Sequence, residues 1–139
     1  MDRKVREVMT AAPVTVGPQT SVAEVARVMR DEGIGAVLVA EGDELRGLVT
    51  DRDLAVRIVA REGDIADYSA ADACSDELIT VSLDDDLDLA VSLMRRHAVR
   101  RLPVVEDGLP VGIVSLGDLA VAGDTDSALA DISAADPSQ

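Results

Sequence analysis

One stretch of this chain is written twice, at a constant offset of 65 positions and without a gap. Met9 to Val56 lies over Cys74 to Val121. Thr15-Val16 then falls on Thr80-Val81, Met29-Arg30 on Met94-Arg95, Gly47 on Gly112, and Asp53-Leu54-Ala55-Val56 on Asp118-Leu119-Ala120-Val121. The period exceeds the roughly 20–50 residues of solenoids and propellers, and two copies are too few for such an array. The copies are therefore expected to face each other as halves of one globule related by pseudo-twofold symmetry. Clefts between the halves are where function is expected.

Each copy reads strand, helix, strand, strand, helix, a mixed α/β (α+β) unit. Pro13 to Val16 is a short extended segment, and Thr20-Ser21 caps a helix with Glu24 at the capping-box spacing from Ser21. Val22, Val25, Ala26 and Met29 recur at i, i+3, i+4 and i+7, as do Leu87, Ala90, Val91 and Met94. Gly33 and Gly35 end the first helix. Ala36 to Ala40, a polar turn at Glu41 to Glu44, and Leu45 to Val49 predict a hairpin, repeated by Leu102 to Val105, Glu106-Asp107-Gly108 and Pro110 to Val114. Second helices are expected after Thr50 and Ser115. The boundaries expected are 1–65 for the first repeat, 66–122 for the second, and 123–139 for an acidic tail with a short helix over Ser127 to Ile132. Arg61 to Ala71 reads as a polar link.

At 139 residues and 47% hydrophobic, the chain can bury about two-thirds of its unfolded surface, enough for a core without staples. Cys74 is the single cysteine and has no partner within the chain, and the charged start Met1-Asp2-Arg3-Lys4 leads into no apolar stretch, so a reducing cytoplasm is expected. Nothing approaches the roughly 18 consecutive apolar residues of a membrane span. A formal charge of −14 repels phosphate backbones and anionic lipid, which argues against nucleic acid and membrane as partners. A small anion remains possible wherever the field is locally reversed.

The richest chemistry lies in Gly47-Leu48-Val49-Thr50-Asp51-Arg52-Asp53 and Gly112-Ile113-Val114-Ser115-Leu116-Gly117-Asp118. In both, a buried strand ends in a hydroxyl, and a carboxylate follows three residues later at the start of a helix. One reading is an ordinary capping box that binds nothing. The other is a helix start that offers N–H groups to a phosphate while the Asp accepts hydrogen bonds from a ribose diol.

The order of elements, the Thr-x-x-Asp and Ser-x-x-Asp strand ends, and the run Val99-Arg100-Arg101-Leu102-Pro103-Val104-Val105 together resemble a pair of cystathionine-β-synthase (CBS) domains, the tandem called a Bateman module. The resemblance runs from Val5 to Val121. It implies a stand-alone regulatory sensor that binds AMP, ADP, ATP or S-adenosylmethionine in inter-repeat clefts as an exchangeable ligand, with no tightly bound cofactor. It also implies a homodimer and a regulated protein whose identity is unknown.

Carried over residue by residue, the resemblance implies two clefts. In the first, Thr50 holds phosphate or sugar, Asp53 the ribose, Leu78 and Ile79 cover the base, and Arg100 and Arg101 face the phosphates. In the second, Ser115 and Asp118 take the hydroxyl and carboxylate roles, Pro13 and Val14 lie against the base, and the positions matching the arginine pair are Gly35 and Ala36. Arg52 and Arg100 are that cleft's only evident cations. Leu38 stands where the second repeat has Pro103, so the first repeat carries the weaker copy of that run. If a single cleft is occupied, the first is expected to be it.

Arg95-Arg96-His97-Ala98-Val99-Arg100-Arg101 places four guanidinium groups within seven residues of an acidic chain, and guanidinium forks suit phosphate. Arg95 and Arg96 are accounted for by the negative end of the helix that stops there. Arg100 and Arg101 lie beyond it and point to opposite faces of a strand. Tyr68, the only aromatic residue, falls in the link and reads as a surface contact, so a purine would sit among aliphatic side chains. An enzyme is not expected. Cys74 matches Met9 and reads as a packing residue, His97 as a surface residue at a helix end, and one Cys with one His cannot make a structural zinc site within one chain. Asp84-Asp85-Asp86 sits at a helix start, where dipole compensation explains it. The competing reading for the whole chain is a protein interaction scaffold with empty clefts.

Overall fold

The computed structural model describes residues 3–75 and 77–122. The tail at 123–139, and the helix expected within it, lie outside the described residues. Among the described residues no helix is long and apolar enough to cross a membrane. Two compact units are present, one formed by residues 13–78 and the other by residues 3–12 together with 79–122.

In the first unit, β2 (Thr15–Val16) runs parallel to β3 (Ala36–Glu41), which pairs antiparallel with β4 (Glu44–Thr50). Helix α1 (Val22–Glu32) connects β2 to β3. Ser21 Oγ accepts from Glu24 N–H at 3.2 Å, and Gly33 closes the far end in the left-handed region at φ 66°. Glu24 itself turns to Arg27, so the cap is one-sided. Val22, Val25 and Met29 are buried while Ala26 is exposed, so the apolar stripe is narrower than the periodicity predicts. They pack on Val37 and Val39 of β3 and Val49 of β4. Leu38, on the opposite face of β3, is just as fully buried, so both faces of that strand are covered.

The second unit repeats this plan. Strand β5 (Val81–Ser82) is parallel to β6 (Arg101–Glu106), β6 pairs antiparallel with β7 (Leu109–Ser115), and α4 (Leu87–His97) joins β5 to β6. Leu87, Ala90 and Met94 are buried against Leu102, Val104, Val114 and Leu119. The duplication extends to irregularities. Each hairpin shifts register at the same place, at Val39/Ala40 and Val104/Val105. Ala98 ends α4 at φ 55°, the counterpart of Gly33, although a side chain in that region costs about 1–2 kcal/mol.

The folded units are not cut where the sequence copies are. Residues 3–12 belong with 79–122. Val5 is fully buried there, β1 (Thr10–Ala11) pairs with Ile113 and Gly112 of β7, and Val5 and Arg6 N–H donate to Asp85 and Leu83 carbonyls at 2.9 and 3.0 Å. The end of the expected link belongs with the first unit. Residues 61–67 are exposed, but α3 (Ala70–Ala73) buries Ala70 and Ala73 in that unit's core. Tyr68 is half-buried against the same core, its hydroxyl donates to the Glu62 carbonyl at 3.0 Å, and the Arg61 guanidinium lies 5.5 Å from its ring centre. It is a packing residue, not the surface contact expected.

Two close approaches fix these additions. A Cβ on Gly47 would stand 2.9 Å from Cys74 Sγ, and one on Gly112 would stand 2.7 Å from Met9 Sδ and 2.9 Å from the Thr10 carbonyl. Met9 and Cys74 are equivalent in the repeat, so each copy's glycine receives the start of the other copy. The acidic run is consumed by the same arrangement. Asp84 pairs with Arg6, Asp85 accepts from Ser82 N–H at 2.8 Å, and Lys4 pairs with Asp86 at 2.6 Å, holding that carboxyl below the usual carboxylate range.

The second helices differ. Asp51–Asp53 (α2) is followed by a π-wound turn over Leu54–Val59, with Ala60 N–H reaching the Ala55 carbonyl at 3.2 Å, whereas α5 is α-helical over Leu116–Ala122. Both carry Asp-Leu-Ala-Val, so the difference arises outside those four residues.

Candidate functional site

The hydroxyl and carboxylate of each copy stand where a strand turns into a helix. At the end of β4, Thr50 Oγ1 accepts from Asp53 N–H at 3.1 Å and Asp53 Oδ2 accepts from Thr50 N–H at 2.8 Å. At the end of β7, Ser115 Oγ accepts from Asp118 N–H at 3.0 Å and Asp118 Oδ2 accepts from Ser115 N–H at 2.9 Å. Both are closed capping boxes, so the structural role considered for these residues is present in both copies. It uses one carboxylate oxygen. The second oxygen of Asp53 lies 3.4 Å from Arg57 Nε, with the Asp53 side chain 21% exposed and that of Arg57 42% exposed.

Within the first unit the strand ends gather several expected residues. Ala36 pairs with Thr50, Asp51 N–H donates to the Gly35 carbonyl at 3.0 Å, and Leu38 N–H donates to the Val14 carbonyl at 2.9 Å. Pro13, Val14, Gly35, Thr50 and Asp53 therefore share one end of the three-stranded sheet, all half-buried, with Arg52 exposed beside them. Leu78, at the unit's margin, is 45% exposed.

Within the second unit, Arg101 pairs with Ser115 across β6 and β7, and Leu116 N–H donates to the Arg100 carbonyl at 2.8 Å. Ile79 leads into β5 and packs against this unit's core. Arg100 and Arg101 are half-buried, while Arg95 and Arg96, in the last turn of α4, are exposed. His97 is half-buried rather than on the surface. Arg100 also lines a cavity of about 230 Å³ with Val91, Met94, Arg95, Ala98, Val99 and Leu116. Ile79, Arg100, Arg101, Ser115 and Asp118 are thus members of one folded unit, and Pro13, Val14, Gly35, Thr50 and Asp53 of the other. Each of the two residue sets implied by the family resemblance draws on both units.

Arg57 was missed by sequence reasoning, although its i, i+4 spacing from Asp53 is the usual signal of a helical ion pair. The rest of the cavity lining, Val91, Met94, Val99 and Leu116, carries no sequence signal beyond apolarity.

Cys74 is half-buried, and burial pushes its thiol up to about 11, the Asp53 charge acting in the same direction and Arg57 opposing. An unfolded thiol titrates near 8.5–9. The protonated thiol therefore contributes stability that is present below about pH 9 and is lost as pH rises toward 11. Alkylation by iodoacetamide at pH 8 is expected to be at least about tenfold slower in the folded chain than in urea, and equal rates would contradict the burial argument. The thiolate, the reactive form of the group, is correspondingly disfavoured. Among the described residues no group of three His, Cys, Asp or Glu side chains converges as a metal centre would.

The CBS domain family model matches residues 5–60 and 70–123. The CBS domain-containing protein YhcV of Bacillus subtilis is 39% identical over 117 residues, which are 84% of this chain and 83% of that protein. The crystal structure of Hypoxic Response Protein I with two coordinated zinc ions superimposes with a TM-score of 0.79 at 28% identity, covering 88% of this chain and all of that one. The hexameric CBS-CP12 protein from bloom-forming cyanobacteria shares the fold with a TM-score of 0.81 at 22% identity, covering 90% of this chain and 70% of that one. CBS-domain pairs of this kind are generally regulatory modules. With the family model matched twice along nearly its whole described length, the chain belongs to the CBS-domain family and carries two CBS repeats.

Proposed function

We propose that the chain is a regulatory module that senses an adenosine-containing ligand, AMP, ADP, ATP or S-adenosylmethionine, and that it catalyses no reaction. In one proposed set, Asp53 accepts the ribose diol, Thr50 holds sugar or phosphate, Leu78 and Ile79 cover the base, and Arg100 and Arg101 meet phosphate. In the other, Asp118 and Ser115 take the polar roles, Pro13 and Val14 lie against the base, Gly35 stands at the position matching Arg100, and Arg52 supplies charge.

The observation that carries this reading is the half-buried carboxylate at each strand end, which spends a single oxygen on its cap in both copies. A carboxylate acts only as an acceptor, and a vicinal diol supplies two donors. The paired arginines add a local reversal of sign in a chain of formal charge −14, as a phosphate-bearing ligand requires. Aliphatic walls without aromatic stacking suit reversible exchange.

We further propose that the module self-associates as a homodimer. Val56 and Val59, 56% and 64% exposed on the second helix of the first unit, leave apolar surface uncovered in a single chain. The same surface favours the second reading, an interaction scaffold whose capping boxes serve only their helices.

Thermal unfolding with adenosine, AMP, ADP, ATP and S-adenosylmethionine separates the two readings. A ligand that binds only the folded chain, at a hundred times its Kd, adds about 2.7 kcal/mol and raises the midpoint by several degrees. At least one adenosine compound is expected to do so while guanosine counterparts do not. No shift with any of the five would leave the scaffold.

A further inference from the structure

The two copies of the hydroxyl–carboxylate corner make the same capping hydrogen bonds, with one exception in what else meets the carboxylate. Thr50 and Ser115, Asp53 and Asp118, and both pairs of capping hydrogen bonds correspond. The exception lies four residues on. The first copy has Arg57, whose Nε stands 3.4 Å from Asp53 Oδ1, and the second has Ala122. Among the described residues no cation is paired with Asp118. Arg57 also lies within the π-wound turn Leu54–Val59, a form of helix distortion frequent at functional sites, whereas the second copy is α-helical over its described length.

We infer that Arg57 is a specificity-determining residue that competes with the ligand for Asp53, so the first copy's carboxylate accepts a nucleoside only when the guanidinium releases it. The inference rests on the adenosine-binding reading above. Asp53 has Oδ2 committed to Thr50 N–H and Oδ1 drawn to Arg57, so a ribose diol meets a carboxylate with both oxygens engaged. Asp118 offers the diol an oxygen that neither its cap nor an ion pair within the described residues takes up. Occupancy is therefore ordered, the Asp118 corner filling at lower nucleoside concentration than the Asp53 corner. That reverses the preference for the first cleft expected from the arginine pair alone. The order depends on ionic strength, because both side chains are partly exposed and salt screens their attraction.

The test uses adenosine, which is uncharged, so salt acts on the protein rather than on a phosphate. In the full chain carrying Asp118→Ala, calorimetric titration at about 50 mM and about 500 mM NaCl follows the Asp53 corner alone. Adding Arg57→Gln is expected to tighten adenosine about two- to fivefold at low salt, the range for releasing an exposed ion pair. Raising the salt should tighten binding while Arg57 is present and leave the Arg57→Gln chain unchanged. If Asp118→Ala alone abolishes detectable binding, its recovery on adding Arg57→Gln supports the inference, and its continued absence overturns it. Unchanged or weaker binding in Arg57→Gln, with the wild-type chain still taking up adenosine, overturns the competition and leaves the adenosine reading standing. Failure of wild type and every variant to bind adenosine, AMP or ATP overturns both.

Discussion

Replacing Leu102 by Ala is expected to lower the unfolding free energy by about 2–5 kcal/mol, the range for deleting a buried leucine side chain from a packed core. Leu102 is 1% exposed on β6, and Val5, Val81, Leu87, Met94, Val104, Val114 and Leu119 belong to the same buried cluster. Those neighbours hang from the segment 3–12, three strands and two helices, so the space left by the lost side chain cannot close by moving any one of them. Leu109→Ala, at a position 45% exposed at the start of β7, serves as the control and should stay within about 0.5 kcal/mol of wild type. Chemical denaturation followed by circular dichroism reads both, and similar midpoints for the two variants would contradict the assignment of the core. The result bears on function because Leu102 pairs with Val114 while its neighbour Arg101 pairs with Ser115. The core that holds this register also sets the separation of the guanidinium and the hydroxyl.

Much of this arrangement is legible in the sequence because it follows from periodicities repeated twice. Helices with buried residues at i, i+3 and i+7 and hairpins bounded by Gly42 and by Asp107-Gly108 appear where the pattern places them. The duplication makes each signal confirm its twin. What escaped depends on long-range packing. Thr10–Ala11 is too short to announce itself as a strand, and it becomes one only because β7 presents Ile113 and Gly112 to it. Ala70 reads as part of a polar link and Ala73 lies just beyond it, because alanine spacing is a weak hydrophobic signal, yet both are fully buried. The fate of Met9 and Cys74 was visible only as a correspondence, since nothing local says that each would pack on the glycine of the other copy.

The candidate site divides in the same way. Thr50-x-x-Asp53 and Ser115-x-x-Asp118 are recognisable from spacing, and their caps close as that spacing predicts. A capping box and a ribose site require the same two residue types, so sequence could not separate the two roles, and geometry shows that the cap leaves one oxygen over. Arg57 illustrates the remaining loss. Its side chain matters through a distance to Asp53 Oδ1, and the winding of Leu54–Val59, which positions it, has no signature in the shared Asp-Leu-Ala-Val.

The second large effect concerns binding. Asp53→Ala and Asp118→Ala should each remove a charged acceptor from a ribose diol, weakening the corresponding site by about 1.5–3 kcal/mol, roughly ten- to a hundredfold. Adenosine, ADP and ATP should suffer alike, because all three present the same diol. Arg101→Ala should behave otherwise, penalising ADP and ATP more than adenosine, since a guanidinium contributes only where phosphate is present. Each Asp variant also loses its cap, a separate cost of about 0.5–2 kcal/mol in folding stability, so affinity must be compared at a temperature where every variant is folded. The most direct measurement is calorimetric titration of adenosine and ATP into wild type and the Asp53→Ala, Asp118→Ala double variant, with folding verified by circular dichroism. The double variant is expected to lose both ligands while remaining folded, and a folded double variant with wild-type affinity for both would return Thr50-x-x-Asp53 and Ser115-x-x-Asp118 to helix caps alone.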